Sequence, residues 1–190
     1  MVPLPSHPLQ DFIFCPHCGS KRFLYNDERS RRCEDCGFTF YPNASAATVA
    51  VIINARGEML VARRAKEPAK GTLDLPGGFI DPGETAEEGM RREVLEETGA
   101  DCIVHELLFT LPNTYPFSGH VVHTCDLFFR VEIAEDAVLR AADDAAELFW
   151  LPLSEARPEL FGLKSISEGV AYILDVTQKS QKTQKKSRDA

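Results

Sequence analysis

The amino-acid sequence predicts an α/β fold, because strand-like apolar runs alternate with helical segments along most of its 190 residues. Two further observations define this prediction. A helix with clear start and stop signals stands near the middle of the chain, and a pair of short cysteine motifs precedes all of the strand-like runs. We therefore expect one α/β domain that follows a small cysteine-containing module.

The central helix is predicted over residues 86–98. Thr85 can act as its N-cap, and Glu88 three residues later completes a capping box. Gly99 stands where a helix-ending residue with positive φ is expected. The residues between these signals lack proline and are rich in helix formers. These features predict a helix of about three and a half turns.

Three glutamates of this helix form an acidic cluster. At about 100° per residue, Glu93 and Glu97 fall on or beside the apolar stripe, and Glu96 lies roughly 60–80° to one side. Partly buried carboxylates are unfavourable unless they are paired or bind a metal. An ordinary exposed helix with ion pairs such as Glu88–Arg92 is the alternative interpretation. Two glycine-containing turns directly before the helix allow close backbone approach to a ligand and favour the metal interpretation.

The remaining elements follow from apolar and β-branched runs. A hairpin is predicted from strands at 48–53 and 59–62. Other strands are predicted at 72–75, 102–109, 120–131 and 147–151, with a loop at 110–119, irregular structure at 158–163 and a final helix at 167–176. This order of strands and helices supports the α/β prediction.

The acidic helix and its preceding loop resemble a known family motif. Gly78, Glu84 and the run from Arg92 to Ala100 match the Nudix box at every specified position. The resemblance implies a Nudix hydrolase with an α/β/α sandwich around a mixed sheet. It also implies an enzyme that hydrolyses a diphosphate linked to a nucleoside or a similar group.

The resemblance further implies roles for individual residues. Glu93, Glu96 and Glu97 would carry Mg²⁺ or Mn²⁺ with help from Glu84, and Arg92 would orient the glutamates by salt bridging. Hard divalent cations held by oxygen ligands would make the site attractive to an anionic diphosphate and would lower the pKa of a bound water. The general base stays open between Glu97, Glu96 and an acid within residues 143–147. Gly78 is a candidate for backbone approach to the substrate.

Composition limits the function classes. Hydrophobic residues make up 44% of the chain, and the net charge of −8 argues against general nucleic-acid binding. No apolar run reaches transmembrane length and no secretory signal pattern begins the chain, so we expect a soluble cytoplasmic protein without a membrane partner. Residues 177–190 are basic and lack large apolar side chains, which predicts a disordered tail. The expected domains are 1–41, 42–176 and this tail.

Two CxxC motifs predict a structural zinc site. Cys15, Cys18, Cys33 and Cys36 form a CxxC…CxxC pair with fourteen residues between its halves. Four thiolates complete a tetrahedral Zn²⁺ site, so the metal would stabilise a zinc ribbon instead of performing chemistry. Disulfides are disfavoured without a secretory signal. A structural or dimer-supporting role for the ribbon is favoured over nucleic-acid binding, because its basic residues are balanced by acids.

A zinc ribbon ahead of a Nudix domain is similar to the NADH pyrophosphatase subfamily, which carries a second motif, SQPWPFPxS. Tyr115, Pro116 and Phe117 stand where Trp-Pro-Phe would be, but the leading Ser-Gln is absent. Tyr115 and Phe117 could stack on a base or nicotinamide ring, or only anchor a loop. Arg63 could reach a substrate phosphate, or be a solvated edge charge.

The resulting functional hypothesis is hydrolysis of NADH, NAD⁺, ADP-ribose or a related nucleoside diphosphate derivative, which releases a nucleoside monophosphate. The alternatives are a Nudix domain that senses a nucleotide without cleaving it and an enzyme that processes capped RNA ends. The partner would be a small nucleotide substrate, and the family resemblance also implies a homodimer.

Overall fold

The computed structural model describes residues 8–117, 119–142 and 145–188, without the side chains of residues 115, 117 and 180–188. The chain forms two compact units. The first contains Met1–Ser45 and Thr114–His123, and the second contains Ala46–Asn113 and Thr124–Ala190. The domain boundaries expected from the sequence stay predictions.

The first unit contains a small antiparallel sheet of three strands, in the order β1-β2-β3. A core this small gains little from apolar burial alone, which is why such modules usually need a metal or disulfides. Its hydrophobic cluster is formed by buried Cys15, Phe23 and Cys33, against which Phe38 and Phe40 pack. The strands are β1 Phe23–Tyr25, β2 Arg31–Cys33 and β3 Thr39–Phe40.

The second unit holds two three-stranded sheets, with strand orders β4-β8-β7 and β6-β5-β9. Strand β5 pairs antiparallel with both β6 and β9. Every strand predicted from the sequence is present, with ends shifted by a few residues in most cases. The strands are β4 Ser45–Ile52, β5 Glu58–Arg64, β6 Leu73–Asp74, β7 Cys102–Phe117, β8 His120–Ile133 and β9 Ala145–Pro152.

Two helices cover the sheets of this unit, which gives the expected α/β/α layering. Helix α1 spans Ala86–Thr98 and helix α2 spans Lys164–Arg188. The unit contains two hydrophobic cores, of which one lies under α1 and the other lies under α2. The α1 core includes Ala50, Ile52, Leu60, Met90, Val94, Phe129 and Val131, and the α2 core includes Val49, Val51, Met59, Val61, Phe128, Ile166, Val170 and Ile173.

The prediction of a loop at 110–119 is wrong over most of that range, because β7 continues through Phe117. Pro112 and Pro116 suggested a loop, since proline cannot donate to a strand ladder. Strand β7 is at the edge of its sheet, however, and an edge strand can turn the proline nitrogen away from its neighbour. Strand β8 then begins at His120.

The disordered tail expected from residue 177 is also corrected, because α2 continues through Arg188. This stretch contains neither glycine nor proline, and its lysines and glutamines are good helix formers. Lys179 Nζ lies 2.6 Å from Asp175 Oδ2, one helical turn away, which adds an i,i+4 ion pair. Residues 189–190 lie outside the described residues. Neither helix described here combines the length and apolar character required to span a bilayer.

Candidate functional site

Helix α1 begins and ends as the sequence predicts. The Glu88 N–H donates to Thr85 Oγ1 at 3.2 Å, and the Thr85 N–H donates to Glu88 Oε2 at 2.8 Å, which confirms the capping box. Gly99 ends the helix with φ 72°. Glu97 is only 8% exposed, so a charged side chain points into the protein as expected. The fixed helix ends therefore set the direction in which each glutamate projects.

Arg92 gathers three of the four candidate metal ligands. Its Nε donates to Glu84 Oε1 at 2.8 Å, and its Nη1 donates to Glu93 Oε1 at 2.8 Å and to Glu96 Oε2 at 3.3 Å. Its Nη2 donates to the Phe79 carbonyl at 2.9 Å. The expected orienting salt bridges of Arg92 are thus present in the structure.

This arrangement keeps the site acidic. Hydrogen bonding from Arg92 and from the Asp81 backbone N–H lowers the pKa of Glu84 to about 2. The same contacts raise the pKa of Arg92, chiefly through Glu84 and then Glu93. Glu84 is therefore ionised at neutral pH, and its folded-state charge would be lost only as the pH falls through about 2.

Two glycines of the loop before α1 sit against these glutamates. The Gly77 N–H donates to Glu97 Oε2 at 3.0 Å. A Cβ on Gly78 would lie 2.5 Å from the carboxylate carbon of Glu93, and a Cβ on Gly77 would lie 2.1 Å from the carbonyl oxygen of Thr48. Gly77 also adopts a φ of 147°, which few side chains tolerate. The loop thus needs glycine at both positions to approach the helix and the adjacent strand.

Replacing Gly78 with alanine is expected to displace the Glu93 side chain while the fold remains, because the clash is with the end of a flexible side chain. We expect turnover to fall roughly tenfold to a hundredfold, with a small change in thermal midpoint. Gly77→Ala is the matched contrast: its clash is with backbone, so it should destabilise the protein by about 2–3 kcal/mol. Parallel kinetics and thermal denaturation check both, and full activity of Gly78→Ala would contradict the arrangement.

The glutamate site suits a hard divalent cation by its chemistry, since all four side chains offer oxygen ligands. Among the described residues, however, no three acids bring their oxygens within 4.8 Å of one another, as the four cysteines do with their sulfurs. Arg92 lies between Glu84, Glu93 and Glu96 instead. Their role as magnesium or manganese ligands stays a prediction.

The four cysteines of the ribbon form a compact cluster. The sulfurs of Cys15 and Cys36 are 3.7 Å apart, and those of Cys18 and Cys33 are 3.6 Å apart. A tetrahedron with zinc–sulfur bonds of about 2.3 Å has edges of about 3.8 Å, so the cluster fits zinc closely. Burial opposes ionisation of Cys33, but N–H groups of Cys36 and Asp35 outweigh it and lower its pKa to about 7. Binding of zinc itself stays a prediction.

The predicted substrate contacts are not assembled by any described interaction. Arg63 Nε donates to Glu147 Oε2 at 3.1 Å and its Nη1 donates to the Gly71 carbonyl at 3.1 Å. The charge of Arg63 on β5 is therefore paired with Glu147 on the neighbouring strand β9. Tyr115 and Phe117 lie in β7, but their side chains are outside the described residues. Of the acids proposed as bases in 143–147, Glu147 is the partner of Arg63, and residues 143–144 lie outside the description.

A buried polar group escaped the sequence analysis. Arg64 pairs with Asp74, and the Asp126 carboxylate accepts hydrogen bonds from Thr124 and Ser165. Burial raises the pKa of Asp74, the charge of Asp126 adds to this rise, and Arg64 opposes it. The signal for this group was the alternation of polar residues within an otherwise apolar strand β8, which a reading of the apolar positions alone overlooks.

With this geometry established, comparison with known proteins defines the family. The NUDIX domain model matches residues 43–170, so the chain belongs to the NUDIX domain family. Among solved structures, a NUDIX hydrolase from Nitrosomonas europaea aligns with a TM-score of 0.68 at 22% identity, over 85% of this chain and 90% of that one. An ADP-ribose pyrophosphatase from Streptococcus suis aligns with a TM-score of 0.54 at 18% identity, over 71% of this chain and 92% of that one. These two likenesses confirm the predicted Nudix fold.

Curated relatives carry a more specific name. The chain is 29% identical over 163 residues to the NAD-capped RNA hydrolase NudC of Stutzerimonas stutzeri, which covers 86% of this chain and 55% of the relative. It is 35% identical over 104 residues to the NudC of Chromobacterium violaceum, covering 55% and 38% respectively. The chain thus spans about half the length of these relatives or less. Their name includes RNA, so our expectation against a nucleic-acid partner has no support from them.

Proposed function

We propose that this chain is a metal-dependent pyrophosphohydrolase. Its substrate would be a nucleoside diphosphate derivative of the NAD(H) or ADP-ribose type, and one product would be a nucleoside monophosphate. The observation that carries the proposal is the placement of Glu84, Glu93 and Glu96 around Arg92, with Glu97 held under the Gly77–Gly78 loop. Family membership adds support from outside the site.

The residues present suit cleavage of a polyanion only with cations. Glu84, Glu93, Glu96 and Glu97 would together repel a diphosphate, and Arg92 carries a single compensating charge. These glutamates would hold Mg²⁺ or Mn²⁺. When bound, such ions would stabilise the phosphate charge and lower the pKa of a water, which would then lose its proton more easily and become a better nucleophile.

The chain itself would contribute orientation and a proton acceptor. Arg92 orients Glu84 and Glu93 by charge-assisted hydrogen bonds of 2.8 Å in the metal-free protein. Glu97 is the best-placed general base among the described acids, because it is both buried and fixed by the Gly77 N–H. A water in line with the bond to be broken would then pass its proton to the Glu97 carboxylate, which the protein holds in place.

The proposal is tested by an assay of purified protein with Mg²⁺ or Mn²⁺. The compounds are NADH, NAD⁺, ADP-ribose, diadenosine polyphosphates and nucleoside triphosphates, with products separated by chromatography. We expect AMP from at least one of the first three. Binding without cleavage of every compound would instead support the nucleotide-sensing alternative and overturn the enzymatic proposal.

A second candidate is removal of an NAD cap from RNA, which the name of the curated relatives favours. It requires the same diphosphate chemistry on a larger substrate. A short RNA with a 5′ NAD cap, assayed beside free NAD⁺ at equal concentration, separates the two. A higher kcat/KM on the capped RNA would assign RNA as the preferred substrate, and a higher value on free NAD⁺ would assign the small molecule.

A further inference from the structure

A shielded ion pair lies where strands β5 and β6 end, and the chemistry proposed above does not use it. Arg64 ends β5 and Asp74 ends β6, and Arg64 Nη1 donates a hydrogen bond to Asp74 Oδ2. Their side chains are only 17% and 13% exposed, whereas that of the neighbouring Arg63 is 43% exposed. An exposed ion pair contributes little, but removing one partner of a shielded pair leaves a charge without compensation. Arg64 and Asp74 are therefore expected to fix the backbone around them.

The pair connects two segments of the chain. Arg64 Nε donates to the Pro68 carbonyl at 2.7 Å, which holds the loop that follows β5. The backbone of Arg64 closes the same loop, because its N–H donates to the Thr72 carbonyl at 3.0 Å. Asp74 Oδ1 in turn accepts from the Leu75 N–H at 2.8 Å. The guanidinium thus ties the loop after β5 to the start of the segment that leads to α1.

Little backbone freedom remains between Asp74 and Gly77. The side chain of Leu75 is 4% exposed and belongs to the core under α2. The ring of Pro76 restricts its φ, and its carbonyl accepts from the Ala50 N–H at 2.7 Å. Two residues held in this way cannot absorb a displacement of Asp74, so the displacement would reach Gly77.

Gly77 is the point at which this segment meets the glutamates, since its N–H donates to Glu97 Oε2 at 3.0 Å. We propose that Arg64 and Asp74 are positioning residues, which hold the Gly77 N–H against the Glu97 carboxylate. In this role they contact neither the substrate nor an ion, and they act only through the loop. The effect on turnover rests on the proposed function, but the placement of the Gly77 N–H does not, and it is measured without substrate.

Hydrogen exchange at single amides, followed by NMR, tests this placement. Asp74→Asn removes the charge but retains an oxygen for the Leu75 N–H, and the Gly77 amide should then exchange at least about tenfold faster. The Val94 amide lies inside α1 and reports opening of the whole unit. Its exchange rate should change by less than about twofold, because the proposed effect is local to the loop.

Two further variants control the exchange measurement. Glu106→Gln breaks an exposed ion pair, in which Arg130 Nε donates to Glu106 Oε1 at 2.8 Å, and it should leave exchange at Gly77 unchanged. Arg64→Lys carries the test if Asp74→Asn does not fold, because lysine keeps the charge but cannot reproduce the fork geometry of the two hydrogen bonds. Exchange at Gly77 should then rise about threefold.

Steady-state kinetics separate positioning from substrate contact. Arg64→Gln and Asp74→Asn should each lower kcat about tenfold and change KM by less than about twofold. The double variant should lose about the same tenfold, because two residues that act as one unit are not additive. A guanidinium that contacted a substrate phosphate would instead raise KM in Arg64→Gln alone.

An unchanged Gly77 rate in folded Asp74→Asn would overturn the proposal, and so would equal acceleration at Gly77 and Val94. Multiplicative losses of kcat in the double variant, or a raised KM in Arg64→Gln alone, would overturn it as well. A wild-type protein that hydrolyses none of the compounds would refute the proposed function, and the exchange rates would still decide the role of Arg64 and Asp74.

Discussion

Replacing Glu97 with glutamine is expected to lower metal-dependent turnover by about a hundredfold or more, with the fold intact. Removal of a positioned general base typically has an effect of about 10²–10⁴-fold, and loss of a ligand charge would add to it. The amide oxygen of glutamine can still accept the hydrogen bond from the Gly77 N–H, which is 3.0 Å from Glu97 Oε2. Stability should therefore change little.

The measurement is kcat at saturating Mg²⁺ together with a thermal denaturation curve. Glu87→Gln is the matched control, because Glu87 is on the same helix but is exposed in its first turn. It should retain wild-type turnover. If Glu97→Gln keeps near-wild-type activity while Mg²⁺ saturates the enzyme, Glu97 has neither role.

Removal of zinc is expected to unfold residues 12–41 and to leave α1 and its glutamates in place. Among the described residues, the hydrophobic cluster of the first unit has three buried members, two of which are cysteines of the metal cluster. For structural sites of this type, the apparent free energy of zinc binding is about 10–16 kcal/mol, and it contributes directly to the free energy of folding. Without metal, no zinc–sulfur bonds hold the four cysteine sulfurs together.

A zinc-selective chelator, followed by fresh Mg²⁺, separates the two metal requirements. Trypsin should then cleave faster at Lys21, Arg29 and Arg32, whose side chains are exposed but whose backbone must unfold locally to be cut, while far-UV circular dichroism still reports α1. Cys33→Ser should behave like the chelated protein, and Cys125→Ser, outside the cluster, should retain zinc. Trypsin resistance in protein shown by metal analysis to be zinc-free would contradict a structural role.

The local elements of the fold could be predicted from sequence because their signals are local. Helix α1 has the predicted bounds, since Thr85, Glu88 and Gly99 act within one turn of its ends. The burial of Glu97 also followed from helical periodicity alone. The cysteine cluster was predictable for a similar reason, because each CxxC knuckle is a short turn that ends in a positive-φ glycine at Gly19 or Gly37.

Features that depend on tertiary neighbours could not be predicted in this way. Pro112 and Pro116 disfavour a strand unless it lies at a sheet edge, and edge position is a property of the assembled sheet. The closeness of Gly78 to Glu93 arises where a loop meets a helix 15 residues further along the chain, so it is invisible in either segment alone. The partners of Asp126 come from its own strand and from the start of α2, which only the folded chain brings together.

The guanidinium of Arg92 has a consequence for how ions enter and leave. A divalent ion that bound among the glutamates would compete with the tethered positive charge of Arg92, because Arg92 already pairs with Glu84, Glu93 and Glu96. The free energy of ion binding would then be the difference between the attraction of the glutamates for the ion and their attraction for Arg92. Occupancy of the site should therefore follow the free ion concentration. Without an ion, Arg92 already compensates part of the acidic charge, so the loop and helix around the glutamates do not depend on a cation for their electrostatic balance.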